Sequence, residues 1–581
     1  MKKTICYLSN WFKKDTCIYI VLVILIVAMW LPRMQGPIDL RWDGGTYYVL
    51  GTSLAEGKGY RLLNEPGEIE AIQYPPLLPL IVAGHQKILG TTDPWIVGQG
   101  LRLFSFVIFF AYIISIFLVL KRYLPLKFAF IGTMICLFHM NTYYQSDLLY
   151  PDVLFALATS SFVLLSLHTH KQMFAVAAAL MGMIAFGVRT IGIALLIAWV
   201  AESLFNRNVK LAAIRLAVAL VPLLCWQGYI LSVTHSTEYT HPAYDYQRAG
   251  YMFYNVSYAK NVFTFKDPFT PELGRASVHG IATRFLYNLG QIPQSLGEAV
   301  SATRIAYEGP WRELDMPFPV STPWPVDVAL LILGVFVLVG FGLHLKRREW
   351  LLPLYVLFSI AAICLTPWPY LFHRYLMPLT PFLVLFLLTG LLAASSMSDK
   401  WRRVGSKFMG LVVCLILIQQ ILLIMLIYSR LHSNVTYRDR KGGLIQYQLF
   451  YYRDSHRAFD AGLDWVGEHA KSQEVIAGSM PHWMYLRTGL KAVMPPLEVD
   501  PVKAQAMLDS VPVTYLFLDE DLGVDTKRYM IPVVQQFSEH WERVYTDIIV
   551  PERGKGTPSQ LSIYRRVGLW PDGTIASVGS M

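Results

Sequence analysis

Long apolar runs recur along this chain, many of them approaching the roughly 20 residues a helix needs to cross a hydrocarbon core. "IYIVLVILIVAMWL", "VIFFAYIISIFLVL" and "VALLILGVFVLVGFGLHL" are three of them. Lipid offers no water to bare peptide groups, so unbroken runs of this length can satisfy their backbones only as helices. With 54% of 581 residues hydrophobic, the chain is too apolar for a water-soluble fold of its size. It reads as a polytopic α-helical membrane protein. About eleven crossings are expected, near 16–34, 100–120, 126–144, 148–167, 172–188, 190–204, 211–233, 326–344, 350–366, 374–395 and 406–429. A tight turn near Arg189 leaves the number between about eleven and thirteen.

The first run, from about Thr16 to Leu31, follows Lys2, Lys3, Lys13 and Lys14. A signal peptide would start similarly, but Trp30, Pro32 and Arg33 follow instead of a small-residue cleavage site, so a retained anchor is expected. The net charge of +10 suggests nucleic acid at first sight. Much of the excess, however, lies in short loops: Lys121, Arg122 and Lys127; Lys171; Arg207 and Lys210; Lys346, Arg347 and Arg348; Lys400, Arg402, Arg403 and Lys407. With a cytoplasmic N-terminus all five loops fall on the inner side, as the positive-inside rule requires, and no nucleic-acid partner is needed to explain the charge. The six cysteines lie in the N-terminal segment or in expected crossings, without metal-site spacing.

Three large polar pieces then lie outside: a loop from about 35 to 98, a second from about 234 to 325, and a tail from about 431 to 581, against a membrane domain of residues 1–430. In the tail, "QEVIAGSM", "GLKAVMPP", "VTYLFLDE" and "SQLSIYRRV" read as strands, with "AFDAGLDWVGEHA" and "VKAQAMLDSV" as helices. Helices alternating with strands predict a soluble α/β domain. No Gly-x-Gly-x-x-Gly, repeat or low-complexity tract is present.

In the first loop, Tyr47, Leu50 and Leu54 fall at helical spacing, which suits a short helix lying in the membrane interface. Asp43 stands just before it and could simply cap the helix. The order of motifs adds a second reading. Asp43, then "TYYVLGTSLAEGKGY", then "QYPPLLPL", "LYPDVLFAL", "FGVRTIGIALL" and "HRYLMPLTPFLVL" together resemble the GT-C superfamily of membrane glycosyltransferases, in particular the bacterial members related to protein O-mannosyltransferases and lipid A aminoarabinose transferase. The resemblance covers most of the chain. It departs at Tyr74, where aminoarabinose transferases tend to carry Lys before the proline pair, so a donor-phosphate contact expected there has to come from elsewhere.

The resemblance implies an inverting transfer of a hexosyl or pentosyl group from a polyprenyl-phosphate-type lipid donor. The acceptor would be a glycan, lipid or protein at the periplasmic or extracellular face of a bacterial inner membrane, in building the cell envelope. Direct displacement at the anomeric carbon needs one base rather than the carboxylate pair of a retaining glycosidase. Asp43 is the expected base, and Tyr47 and Tyr74 are expected to line the substrate. The leaving phosphate gains charge, so fixed cations near it lower the barrier. Arg189, Arg374 and His373 are the candidates, set against the alternative that arginines such as these and Arg102 snorkel to headgroups. Asp152 either complements its helix dipole, as Asp147 could, or holds an arginine or the acceptor.

Asp39 is a weaker base candidate, and Glu65, Glu68 and Glu70 read as a solvated run. The tyrosine-rich "STEYTHPAYDYQRAGYMFYNVSYAKNVF" suits either a membrane-surface loop or sugar binding. His235 and His241 lack a third ligand, so no metal site is assigned and no cofactor is implied, although a divalent metal is compatible with the chemistry. A transporter or flippase of lipid-linked glycans is the alternative. That class favours repeated halves and midplane charges, whereas the unusual charges here gather at external helix ends.

Overall fold

The structure, a computed structural model, describes residues 15–167, 171–313, 324–395, 399–430, 434–438, 443–519, 525–549 and 559–568. Lys2, Lys3, Lys13 and Lys14, part of the charge pattern above, lie outside them, as do the side chains of Lys400, Arg402 and Arg403. The chain divides into two compact units. One comprises Met1–Gln35, Arg102–Cys225 and Ala282–His432, and the other Gly36–Leu101, Trp226–Ile281 and Ser433–Met581.

Every apolar run expected to cross a membrane is helical. Six helices are long and apolar enough to do so: Thr16–Arg33, Pro94–Tyr123, Val209–Thr234, Trp324–Lys346, Pro369–Ser395 and Gly405–Ser429. Leu126–Leu137, Asp152–Ser166, Gln172–Val188, Thr190–Phe205 and Leu351–Cys364 are shorter. Ile24, Leu224, Val335 and Ile418 on the long helices are exposed, as lipid-facing side chains should be. Two expected crossings are interrupted. The run near 126–144 stops at Leu137 and restarts at Met140, where the His139 side chain caps the new turn by accepting from the Thr142 N–H. The run near 374–395 passes through a 3-10 turn, Met377–Leu379, before the helix Thr380–Ser395. Pro378 and Pro381 have no N–H to give an α-helical ladder at that point. Trp324–Lys346 packs closely against Thr380–Ser395 through glycine. A Cβ on Gly340 would meet the Phe386 carbonyl oxygen at 1.8 Å, and one on Gly390 would meet that of Phe336 at 2.2 Å. Small residues at such crossings let backbones approach where lipid provides no hydrophobic drive.

The second unit gathers three stretches of chain. Its helices, labelled in order, are α1 (Asp43–Ala55), α2 (Leu77–Leu89), α3 (Thr237–Thr240), α4 (Tyr258–Thr264), α5 (Asp454–His469), α6 (Pro481–Thr488), α7 (Pro501–Asp509) and α8 (Thr526–Gln536). Strands β1 (Asn434–Arg438) and β2 (Leu444–Gln448) form an antiparallel pair. Strands β3 (Val475–Ala477), β4 (Lys491–Val493), β5 (Val513–Leu518), β6 (Trp541–Ile549) and β7 (Ser559–Arg566) form a sheet of order β4-β3-β5-β7-β6. β3 runs parallel to β4 and β5, and β7 runs antiparallel to β5 and β6. Helices α6 and α7 supply the crossovers that parallel strands require. All six residues of β5 are buried, so both faces of the sheet are covered there.

Three expectations change in this unit. Helix α1 does not lie with one face open: all its residues but Leu54 are buried. Its glycines explain this, since a Cβ on Gly51 would sit 2.6 Å from Val82 Cβ on α2, and one on Gly45 would sit 3.0 Å from His482 Cβ on α6. The two-faced helix of this loop is α2, with Leu80, Ile88 and Leu89 exposed and Leu78, Val82 and Ala83 buried. Part of the tyrosine-rich segment is core: Tyr244, Tyr246, Tyr251 and Met252 pack with Val475, Val493, Leu508, Leu516 and Met530, while Thr237, Thr240, His241 and Asp245 are exposed. Nor is Glu65 solvated. It accepts from Tyr244 Oη at 2.7 Å and Gln247 Nε2 at 3.1 Å, and burial pushes its carboxyl pKa upward. Glu68 pairs with Lys491 at 2.9 Å.

Candidate functional site

Asp43 is the first residue of α1, not the residue before it, and its carboxylate is buried, with 8% of the residue exposed. Tyr74 and Tyr254 each donate a phenol hydrogen bond to the same oxygen, Oδ1, at 3.1 and 3.2 Å. Tyr47 packs its ring against Tyr74, 4.8 Å between centroids, and Tyr254 meets the His482 ring edge-on at 4.5 Å. Four segments far apart in sequence thus converge on one carboxylate: the start of α1, the turn before α2, the tyrosine-rich stretch and α6. The backbone at Trp42, immediately before Asp43, has φ 52° and ψ −130°. A non-glycine residue held in so sparsely populated a region costs about 1–3 kcal/mol and persists only where its surroundings fix it. Here the Arg41 guanidinium lies 4.7 Å from the Trp42 ring centroid and the His456 ring meets its edge at 5.4 Å. Arg41 is itself held by Asp39 and by the Tyr451 carbonyl. Asp39 is therefore committed to this support, whereas Asp43 is presented by it.

In the other unit, Asp152 opens the helix Asp152–Ser166 and is fully buried. Its Oδ1 accepts from Arg189 Nη1, and its Oδ2 lies 3.8 Å from Arg374 Nη2. Arg189 occupies the extended break between Gln172–Val188 and Thr190–Gly192, which turns its side chain out of the helical register. Arg374 also lies over the Tyr150 ring at 4.4 Å, with His373 beside it on the same short helix, Phe372–Leu376. The two guanidinium side chains are 19% and 20% exposed, and with Asp152 they leave one net positive charge. Such a group can hold an anion while one carboxylate fixes its geometry. Arg102 does not reach toward headgroups: it is 2% exposed and donates to Asp147 Oδ1 at 3.0 Å, the oxygen that also takes Arg33 Nε at 3.3 Å. Asp147 thus neutralises buried arginines instead of complementing a helix end.

Asp43, Tyr47 and Tyr74 come together in one unit, and Asp152, Arg189, Arg374 and His373 in the other. Sequence reasoning missed Tyr254 and His482. Tyr254 lies in a stretch whose tyrosines look alike, and His482, in "GSMPHWMYL", has no motif around it. Burial holds the His482 imidazole at a pKa of about 3, although the nearby Asp43 charge pulls upward, so the ring is neutral. Among the described residues no three His, Cys, Asp or Glu side chains gather as a metal ion would need.

No family model matches the sequence, and no curated protein matches it. Solved structures do resemble the fold. The oligosaccharyltransferase AglB of Archaeoglobus fulgidus, in complex with an inhibitory peptide and a dolichol-phosphate, superposes with a TM-score of 0.50 at 11% identity, covering 94% of this chain and 74% of that one. The same organism's oligosaccharyltransferase tethered to an acceptor peptide containing the NVT sequon gives 0.50 at 12%, covering 96% and 76%. ArnT from Cupriavidus metallidurans bound to undecaprenyl phosphate gives 0.38 at 12%, covering 94% and 98%, a score too low to argue from. At these identities the shared property is the fold alone, and it is the fold of the oligosaccharyltransferase.

Proposed function

We propose that this chain is an inverting glycosyltransferase that moves a sugar from a polyprenyl-phosphate-type lipid to an acceptor at the external face of a bacterial inner membrane. The observation that carries this reading is Asp43: a buried carboxylate at the start of a buried helix, oriented by two tyrosine hydroxyls on one oxygen, in a chain with the GT-C fold. Asp43 takes the proton of the acceptor hydroxyl or amide as that group attacks the anomeric carbon. The bond from that carbon to the phosphate oxygen breaks, the phosphate leaves with the electron pair, and the new bond forms on the opposite face. The products are the glycosylated acceptor and the lipid phosphate, and the proton passes from Asp43 to water. Arg189 and Arg374 bind the donor phosphate and stabilise the charge that develops on it, and Asp152 holds them. Tyr74 and Tyr47 line the acid side. The likeness in fold to an oligosaccharyltransferase solved in complex with a dolichol-phosphate supports a lipid donor. The acceptor is a glycan, lipid or protein.

The test compares glycolipids and surface glycans, by mass spectrometry, from cells with and without this gene and from cells carrying Asp43→Asn. A product lost in both the deletion and the variant, with the variant protein present at parental level in the membrane, supports the assignment. Parental product in Asp43→Asn cells would refute the role of Asp43.

A further inference from the structure

The polar atoms around Asp43 are not all satisfied by the chain. His482 is 2% exposed, and its Nε2 is buried without a hydrogen-bond partner. Buried polar atoms nearly always have one, so each exception needs a reason. The ring is close to the carboxylate: its Cβ would sit 3.0 Å from a Cβ built on Gly45, two residues from Asp43, and its face and edge are set by Tyr254, which donates to Asp43. Two residues near Asp43 and Tyr74 in sequence also keep orphan atoms. Thr46, one turn along α1, keeps a buried hydroxyl without a partner, and Gln73, next to Tyr74, keeps both amide atoms so. Packing alone does not account for a histidine here, since a phenylalanine would make the same edge-to-face contact with Tyr254 and leave no orphan nitrogen.

We infer that His482 contacts the acceptor, its Nε2 hydrogen-bonding an uncharged polar group, hydroxyl or amide, beside the atom that Asp43 deprotonates. The inference rests on the reading of Asp43 as the base. Because burial keeps the imidazole neutral next to a carboxylate, it brings no positive charge with which to hold a phosphate, and its natural partner is an uncharged dipole. His482 is then a selectivity element contributed by the tail: it favours an acceptor that presents a second hydrogen-bonding group near the reacting one. An acceptor lacking that group would leave the nitrogen buried and unpaired, which is how polar sites reject near-isosteres.

Three variants of the full chain in cells separate the possibilities. His482→Phe keeps the ring and its packing but removes the nitrogen, His482→Gln restores a polar atom near the Nε2 position, and Asp43→Asn reports on the base. The readout is the product found by mass spectrometry. Binding of undecaprenyl phosphate to the purified chain in nanodiscs, followed by native mass spectrometry, serves as a donor-side control. The expected result is a loss of about tenfold or more for His482→Phe, with recovery to within about threefold of the parent for His482→Gln, and undecaprenyl phosphate binding unchanged in both. Parental product from His482→Phe overturns the inference while leaving Asp43 intact. So does equal loss in Phe and Gln variants, or loss of undecaprenyl phosphate binding in either, since these mark a packing or donor role. Parental product from Asp43→Asn rejects the base itself, and with it the inference.

Discussion

Replacing Gly45 by alanine puts a methyl group where α1 meets α6. The new Cβ would lie 3.0 Å from His482 Cβ, 3.1 Å from the Leu40 carbonyl oxygen and 3.2 Å from the Trp483 nitrogen. Two of those three atoms are backbone, so the strain cannot be relieved by turning one side chain. Overpacking of this kind costs about 1–3 kcal/mol. Against it stands the gain of about 1 kcal/mol that alanine brings to a helix interior over glycine. The net effect on α1 therefore runs from about nil to about 2 kcal/mol of destabilisation. Gly84 on α2 is the control, because a Cβ there meets nothing within 4 Å and only the helix gain remains. Hydrogen exchange followed by mass spectrometry on the chain in nanodiscs reads both helices separately. At about 1.4 kcal/mol per tenfold, Gly84→Ala should slow exchange in α2 by about fivefold, and Gly45→Ala should quicken it in α1 by up to about 30-fold. Since α1 carries Asp43 and α6 carries His482, the same shift should lower sugar transfer, for displacements well under 1 Å already matter to a reacting geometry. If Gly45→Ala protects α1 as much as Gly84→Ala protects α2 and leaves transfer at parental level, the close approach of the two helices is not what positions Asp43.

Arg374→Ala should raise the KM for the lipid donor by about tenfold with the acceptor KM unchanged; equal donor dependence in variant and parent would remove Arg374 from the phosphate contact. Arg189→Ala leaves the buried Asp152 with only Arg374, at 3.8 Å, and should cost about 3 kcal/mol, seen as lost yield of folded protein, which Asp152→Asn on top of it restores. A double variant no better than Arg189→Ala would show that the two residues are not coupled. In the tail, burial raises the Asp519 pKa from 3.8 to about 6 despite hydrogen bonds from Ser479 and Thr526. An acid whose folded pKa is the higher contributes stability that is full below pH 3.8 and is lost as pH rises through about 6. Urea unfolding of the second unit should accordingly show stability falling between those values, and Asp519→Asn should flatten that slope.

The membrane helices were legible because lipid leaves an apolar run no other way to pair its peptide groups. The breaks at His139 and at Pro378 were not, since hydropathy averages over a turn that a cap or a proline interrupts. The tail strands with continuous apolar runs, such as "VTYLFL", could be read directly. β6 could not: "WERVYTDII" lies at the sheet edge, largely solvent-facing, and carries charges a central strand would not tolerate. The burial of α1 was hidden because its three glycines are silent in any apolar count, and only the neighbours they admit reveal what they do. Asp43 was singled out by its place in an ordered set of motifs, but its burial and its bonds from Tyr74 and Tyr254 left no mark in the sequence. Glu65 was misread because its partners, Tyr244 and Gln247, stand about 180 positions away, and His482 went unseen because nothing nearby in sequence marks it.

The second unit also sets a timetable for the chain. Asn64 Nδ2 donates to the Ala492 carbonyl and Lys491 Nζ to that of Leu63, each across 428 residues, and Arg41 reaches the Tyr451 carbonyl across 410. At about 5–20 residues per second of synthesis, the segment bearing Asp43 waits roughly 20–90 s for the strand that completes it. During that interval a newborn molecule displays an acid, a strained tryptophan and unclosed backbone. A ribosome that stalls between residues 281 and 433 would leave a product with no finished second unit, so quality control acting on that fragment would set how much of the protein a cell accumulates.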